Sequence, residues 1–310
     1  MKKITILVPV FNEQDTIEIF INTTRNIIKN IKNKNNDIDF NYLFVNDGSN
    51  DNTYNILKEK SAEKEINFIS FSKNFGKESA MLAGLKTCYN ELKSDAVIVM
   101  DVDLQDDPHL IGQMIDYWKD GYNHVITRHS NRKNEGLLKR VSAKCFYKVF
   151  SILSGIKNIS QGARDFCLMD QKVVKAYIDF PDQERFTKGI SSFVGYRKKL
   201  IEFDYIPRTE GKTKWNYIKL FKYAFTGINS FSSWYKKFPM ILLFIGLIFL
   251  TRDLIVINSQ YWFDSSLIRI DLVTIAFSFI SILIIDLSYK TLNQAKNRPL
   301  YYIEDSNLKE

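Results

Sequence analysis

Val97-Ile98-Val99-Met100-Asp101-Val102-Asp103-Leu104-Gln105 (residues 97–105) is the stretch that decides the fold, because it joins an apolar run to two carboxylates. Four apolar residues in a row are typical of a strand buried on both faces. Asp101 and Asp103 then lie close together at the strand tip, where like charges repel unless a cation neutralises them. Mg²⁺ or Mn²⁺, shared with substrate phosphates, suits such a site. Asp-rich stretches are also common helix N-caps, which is the role expected of Asp106 and Asp107.

Outward from this stretch, strands and helices alternate over the first half of the chain. The pattern predicts strands at 4–10, 42–45, 68–71, 96–100 and 124–127, and helices starting near 15, 53, 78 and 108. Such alternation predicts a mostly parallel sheet in a three-layer α/β domain. Ligands bind beyond the carboxyl ends of strands in these sheets. Three polar clusters follow strands there: Asn12-Glu13, Asp47 and residues 101–107.

Composition excludes several classes of protein. The chain has 310 residues and a net charge of +8. Its 25% of charged residues is the fraction usual in folded proteins. Three cysteines without C-x-x-C spacing argue against a disulfide framework, and three histidines without an H-x-x-x-H pair argue against a histidine-bound zinc. Neither a G-x-G-x-x-G nor a P-loop motif is present, so a dinucleotide fold and a P-loop are not supported.

Several motifs, in order and spacing, resemble those of the inverting glycosyltransferases of family 2. The segment Ser72-Lys73-Asn74-Phe75-Gly76-Lys77-Glu78 narrows the resemblance to the branch that makes polyprenyl-phosphate sugars, such as dolichol-phosphate mannose synthase and bactoprenol glucosyltransferases. The other matching segments are residues 8–13, 45–53, 101–105, 162–166, 185–189, 208–215 and 296–301.

The resemblance implies a GT-A-type fold and a role for each matched residue. It assigns nucleotide-sugar binding to Pro9, Asn12, Glu13, Asp47, Lys73 and Asp101. It assigns metal binding to Asp101, Asp103 and Gln105. Catalysis falls to Asp165, Asp103 and Arg128, and binding of the acceptor phosphate to Arg132, Arg208, Thr213 and Lys214. Cys167 stands where many relatives have arginine, which puts a phosphate contact at that position in doubt.

Asp165 matches the candidate base of the family, but two roles stay open for it. A phosphate monoester has a second pKa near about 6. The acceptor therefore already carries a nucleophilic oxygen at neutral pH, and Asp165 either takes a proton or orients neighbouring groups.

Two apolar stretches, Phe238–Ile257 and Leu267–Tyr289, are each long enough to cross a bilayer. Lysine and arginine flank this pair but are missing from 258–268, so the positive-inside rule places both termini in the cytoplasm. We therefore predict a plasma-membrane protein with a cytoplasmic domain at 1–210, juxtamembrane amphipathic helices at 211–237, a two-helix transmembrane hairpin at 238–290 and a cytoplasmic tail at 291–310.

Residues 215–237 interleave aromatic rings with lysines, a pattern that suits a helix in the lipid headgroup layer. Similar stretches bind single-stranded nucleic acid. The adjacent apolar stretches favour the membrane, so nucleic acid is not an expected partner.

The resemblance implies transfer of a sugar from UDP-glucose or UDP-N-acetylglucosamine to undecaprenyl phosphate, with inversion, for cell-envelope glycosylation. Two alternatives stay open: a processive polysaccharide synthase, and an inactive membrane scaffold that keeps the fold. The sequence leaves the oligomeric state open, a homo-oligomer included.

Overall fold

A computed structural model describes residues 1–129, 163–182, 185, 187–203, 244, 248, 262–296 and 298–308. Its first half alternates strands and helices, as the apolar pattern predicts, with bounds that differ from the expected ones by a few residues. In chain order the elements are β1 (Lys2–Val10), α1 (Ile17–Lys34), β2 (Ile38–Asn46), α2 (Thr53–Lys60), β3 (Ile66–Phe71), α3 (Lys77–Asn90), β4 (Ala96–Val99), α4 (Leu110–Lys119) and β5 (His124–His129).

The remaining described elements were not predicted, apart from the long helix. They are β6 (Ala163–Asp170), α5 (Gln171–Ile178), α6 (Thr187–Val194), β7 (Lys198–Phe203), α7 (Trp262–Lys296) and β8 (Ile303–Ser306). The strands form an eight-stranded sheet in the order β7-β5-β6-β4-β1-β2-β3-β8.

This sheet is mixed, and the expectation of parallel strands holds for its centre. Strands β4, β1, β2 and β3 are mutually parallel neighbours. β6 lies antiparallel between β4 and β5, and β8 lies antiparallel to β3. β6 was not predicted, because its apolar residues 166–169 form only a short run between charged residues, and its antiparallel place depends on pairing with strands distant in the sequence.

Helices cover both faces of the sheet, which gives the expected three layers. Ile6 and Val8 of β1 face the core under α1 and α4, and Leu7 faces the core under α3 and α5. A Cβ on Gly84 of α3 would lie 2.1 Å from Cδ1 of Leu7. This helix therefore packs so closely on β1 that a larger residue at position 84 would force the buried Leu7 side chain to move.

Helix α7 is 35 residues long, and its segment Ile275–Asn293 is apolar and long enough to cross a bilayer; it is the single such helix in the part of the chain that the structure describes. Its apolar side chains face outward: Val273, Phe277 and Ile285 are each about 70% exposed (68%, 71% and 68%). The other predicted span, residues 238–257, lies outside the described residues except for Phe244 and Ile248, both helical and exposed. The two-helix hairpin therefore stays a prediction.

The segment after α7 returns to the α/β domain. β8 pairs with the edge strand β3, and the ring of Tyr301 stacks on Phe71 with centroids 5.0 Å apart. The Tyr54 hydroxyl donates a hydrogen bond to Asp305 Oδ2 at 2.5 Å. The expected cytoplasmic tail thus contributes a strand to the sheet.

Candidate functional site

The carboxyl ends of β1 and β2 carry two polar loops that bind each other. The backbone amide of Asn12 donates to Ser49 Oγ at 2.9 Å, and the amide of Asn50 donates to Asn12 Oδ1 at 2.8 Å. Asn12 has φ of 53°, a left-handed conformation that asparagine tolerates. The amide of Glu13 donates to Thr53 Oγ1 at 2.9 Å. Two of the polar clusters expected at this edge therefore lie together.

Asp47 joins this edge to the loop after β3. Its carboxylate is 4% exposed and accepts hydrogen bonds from the amides of Phe75 and Gly76, at 2.7 and 3.0 Å. Burial raises the pKa of Asp47, and the two amides oppose that rise. Asp47 was expected to line the nucleotide pocket; the structure uses its side chain to hold the loop at Phe75-Gly76.

Gly48 allows the loop after β2 to contact the loop after β3. It has φ of +62°, and a Cβ there would lie 2.2 Å from the carbonyl carbon of Lys73. Lys73 itself places its Nζ 5.1 Å from the ring centroid of Phe75. It borders a cleft of about 750 Å³ between the ends of β2 and β3, next to Asp305 of β8.

At the end of β4, one lysine contacts two carboxylates. The antiparallel register pairs Val97 with Met169 and Val99 with Cys167, so its continuation puts Asp101 opposite Asp165. Lys77 Nζ donates to Asp101 Oδ1 and Oδ2 at 2.7 and 3.0 Å, and to Asp165 Oδ2 at 2.7 Å.

All three side chains of this Asp101–Lys77–Asp165 bridge are partly exposed, by 29%, 37% and 28% respectively. Burial alone would lower the pKa of Lys77, but the two carboxylates outweigh it and raise this pKa well above its usual value. The lysine is therefore an ammonium ion at any physiological pH.

The loop after Asp101 fixes the other acidic residues. The amide of Gln105 donates to Asp103 Oδ1 at 3.2 Å. Asp106 is buried and accepts from Arg164 Nε at 2.9 Å; burial raises its pKa to about 6, against the effect of the guanidinium. Asp107 Oδ1 accepts from the amide of His109 at 2.9 Å just before α4. Asp107 thus caps the turn that leads into α4, whose N-cap residue is His109, whereas Asp106 forms a buried ion pair instead of a cap.

The donor set at this edge fits a hard divalent cation. Asp101 and Asp103 offer carboxylate oxygens on one loop, the backbone amide of Gln105 donates to Asp103, and the contact with Lys77 shows that Asp101 can hold a positive charge. Among the described residues, no three His, Cys, Asp or Glu side chains form a closed metal cluster. Mg²⁺ commonly uses only one or two carboxylates and completes its shell with water and phosphate, so an open set of this kind suits it.

The other predicted site residues lie elsewhere or outside the described part. Pro9 is half-buried in β1. Arg128 forms an ion pair with Glu202 of β7 and is separated from β4 by β6. Cys167 is buried in the core under α3, and burial raises the pKa of its thiol; it does not face the ligand edge. The residues expected at the acceptor phosphate, Arg132, Arg208, Thr213 and Lys214, lie outside the described residues.

The sequence pattern gave no role to Lys77, which bridges Asp101 and Asp165, although the motif that contains it was identified. The neighbouring Glu78 accepts from the amide of Thr187 at 3.3 Å and from its hydroxyl. Arg185, two residues earlier, donates to the carbonyls of Tyr177 and Phe180 at the end of α5. The motifs at 72–78 and 185–189 are thus in contact, and together they position the start of α3.

Comparison with known proteins identifies the family of the chain. The family model described as glycosyl transferase family 2 matches residues 5–178. The chain is 38% identical over 248 residues to a prophage bactoprenol glucosyl transferase homolog of Escherichia coli K12, covering 79% of this chain and 76% of that protein. It is 33% identical to the uncharacterized glycosyltransferase YkcC of Bacillus subtilis 168, covering 97% and 93%. A crystal structure of mannosyl-3-phosphoglycerate synthase from Rubrobacter xylanophilus matches with a TM-score of 0.45 and 16% identity, covering 74% and 72%.

Proposed function

Because the chain belongs to glycosyl transferase family 2, we propose that it transfers a sugar from a nucleotide-sugar to the phosphate of a polyprenyl lipid at the membrane surface. The observation that carries the proposal is that Asp101 and Asp165 lie together at the end of β4, on either side of the Lys77 ammonium group. Relatives named bactoprenol glucosyl transferase, at 38% identity, support the lipid acceptor. Their name also favours glucose over N-acetylglucosamine as the sugar, and we expect UDP to carry it.

We assign donor binding to the edge formed by the ends of β1, β2 and β4. Pro9, Asn12, Glu13 and Lys73 border the nucleoside, while Asp47 holds the loop that leads to Lys77. Asp101, Asp103 and Gln105 would hold Mg²⁺ or Mn²⁺, which supplies positive charge to the departing diphosphate. The GT-A assignment for this domain rests on the same family membership.

In the proposed reaction, an oxygen of the lipid phosphate attacks the anomeric carbon, the nucleoside diphosphate leaves, and the configuration inverts. The acceptor oxygen is already anionic near neutral pH, since the second pKa of a phosphate monoester is about 6. Asp165 accepts a hydrogen bond from Lys77, which favours an orienting role over proton removal. Arg128, Arg132, Arg208, Thr213 and Lys214 remain our candidates for contacts with the acceptor phosphate.

Chain connectivity supports a membrane hairpin. The chain leaves the sheet at Phe203, the end of β7, and rejoins the same sheet at Ile303, the start of β8. Since both points lie on one side of the membrane, the number of crossings between them must be even. If α7 crosses, a second crossing must lie within 204–261, where the apolar stretch 238–257 supplies one. This supports the proposed division into 1–210, 211–237, 238–290 and 291–310, with both termini cytoplasmic.

The test is to incubate membranes that contain the protein with undecaprenyl phosphate and labelled UDP-glucose, UDP-N-acetylglucosamine or another common nucleotide-sugar. We expect an organic-soluble labelled product of one sugar per lipid, most abundant with UDP-glucose. A product that grows by many sugars would instead indicate processive synthesis. Nucleotide-sugar binding without any product would indicate an inactive scaffold.

A further inference from the structure

We propose that Lys77 is an internal counter-ion that occupies Asp101 in the donor-free enzyme and competes with the divalent cation for that carboxylate. The metal would then bind tightly only together with the nucleotide diphosphate. This inference rests on the proposed function in one respect, namely that a divalent cation binds at Asp101.

The contacts of Lys77 carry the first step. Its ammonium group has three hydrogen atoms, and the structure gives it three short contacts: two to Asp101 and one to Asp165. Both oxygens of Asp101 therefore face the ammonium group. A divalent cation would bind one of these same oxygens, a few ångströms from the ammonium charge, so electrostatic repulsion sets the metal and the full set of lysine contacts in competition.

The backbone of Lys77 is anchored on both sides. It is the first residue of α3, directly after Gly76, whose amide is held by Asp47. On its other side, Glu78 is held by Thr187. Anchors on both sides thus fix the backbone of Lys77, while its own flexible side chain can still swing away from Asp101.

Charge balance gives the expected order of binding. Asp101 and Asp165 without a cation would repel each other across two adjacent strands. Lys77 removes this repulsion when donor and metal are absent. When the metal arrives with two phosphate groups, it adds positive charge at Asp101, and the phosphates offer the ammonium new acceptors, so Lys77 can give up Asp101 while staying on Asp165.

Mn²⁺ binding to the purified full-length protein in detergent, without nucleotide, tests this directly by electron paramagnetic resonance. We expect Lys77→Met to bind Mn²⁺ roughly tenfold or more tightly than the wild type, because removal of a positive charge in contact with a metal ligand favours the metal. Lys77→Arg keeps the charge and should bind as weakly as the wild type. Lys86→Met, on the same helix and over the ring of Tyr301, is the matched control and should not change Mn²⁺ affinity.

Addition of UDP should raise Mn²⁺ affinity in the wild type much more than in Lys77→Met. Equal affinity of the wild type and Lys77→Met without nucleotide would overturn the inference, as would weaker binding in Lys77→Met. Lys77→Gln provides a second neutral variant should Lys77→Met fail to fold, with melting temperature as the check. If these affinities are equal while wild-type membranes still make the labelled lipid, the role of Lys77 fails and the proposed function stands.

Discussion

The carboxylate of Asp47, directly after β2, accepts hydrogen bonds from the backbone amides of Phe75 and Gly76 at 2.7 and 3.0 Å. These two residues immediately precede Lys77, the first residue of α3. Gly76 has φ of +93°, a conformation that side chains rarely adopt. The position of Lys77 therefore depends on a buried acidic side chain that does not touch it.

We expect Asp47→Asn to destabilise the protein by about 1–3 kcal/mol, because a neutral amide replaces a charged acceptor of two backbone amides. The measurement is thermal unfolding of the detergent-purified protein, followed by intrinsic fluorescence. Asp15→Asn makes the same change at an exposed position and should stay within about 0.5 kcal/mol of the wild type. Equal melting temperatures for the two variants would contradict the anchoring role.

Asp103→Asn should lower sugar transfer by roughly a hundredfold or more, because it removes a charge from the proposed metal site while the fold stays intact. Chelation by EDTA should abolish transfer in the wild type. Asp107→Asn is the matched control in the same loop: asparagine caps helices as well as aspartate does, so this variant should retain near-normal transfer. Undiminished turnover in Asp103→Asn would remove the argument for the metal.

His124 should make the protein sensitive to acid. Burial lowers its pKa to about 3, whereas the unfolded chain has a value near about 6.5. Between these values the unfolded state binds a proton that the folded state does not, so stability falls as the pH drops below about 6.5. From pH 7 to pH 5.5 this one group should cost about 1 kcal/mol.

The replacement His124→Phe keeps a ring against Tyr177 and cannot titrate, so its unfolding free energy should fall less over this interval. The measurement is chemical denaturation at both pH values. A loss on acidification as large in His124→Phe as in the wild type would count against the prediction.

A hairpin with a cytoplasmic tail predicts opposite accessibility for two introduced cysteines. In a variant with Cys145→Ser, Asn258→Cys should react with a membrane-impermeant maleimide in spheroplasts, and Glu304→Cys should react only after lysis. Cys88 and Cys167 are buried and should not react with the maleimide. Labelling of Glu304→Cys in intact spheroplasts would contradict the cytoplasmic placement of the tail and of the sheet that β8 joins.

The strands β1 to β5 could be predicted because each is a short apolar run, and β1 to β4 are each followed by polar residues and a helix. β6 and β8 could not. β8 reads Ile303-Glu304-Asp305-Ser306 and has no apolar run. β6 has only a short one, residues 166–169, which lies between the charged residues Arg164, Asp165 and Asp170. The positions of β6 and β8 in the sheet depend on pairing with strands that are distant in the sequence, and the local pattern of apolar residues does not encode such pairing.

For the site, the sequence located the edge but not the contacts within it. The convergence of Asn12, Asp47 and Asp101 follows from the parallel order of β4, β1 and β2. Lys77 could not be assigned from its motif, because its partner Asp165 reaches it through the antiparallel insertion of β6. Arg128 was expected at the reaction centre; its pairing with Glu202 depends on β7, which was also unpredicted.

The return of the chain to β3 after α7 limits how the enzyme can be shortened. A chain that stops at Phe203 would lack β8 and leave the amides and carbonyls of β3 open along one edge. Exposed edges of this kind recruit other strands, so such a fragment should aggregate even though it keeps Lys77, Asp101 and Asp165. A soluble version would keep its solubility only if residues 298–308 were joined back on through a linker that replaces the membrane segment.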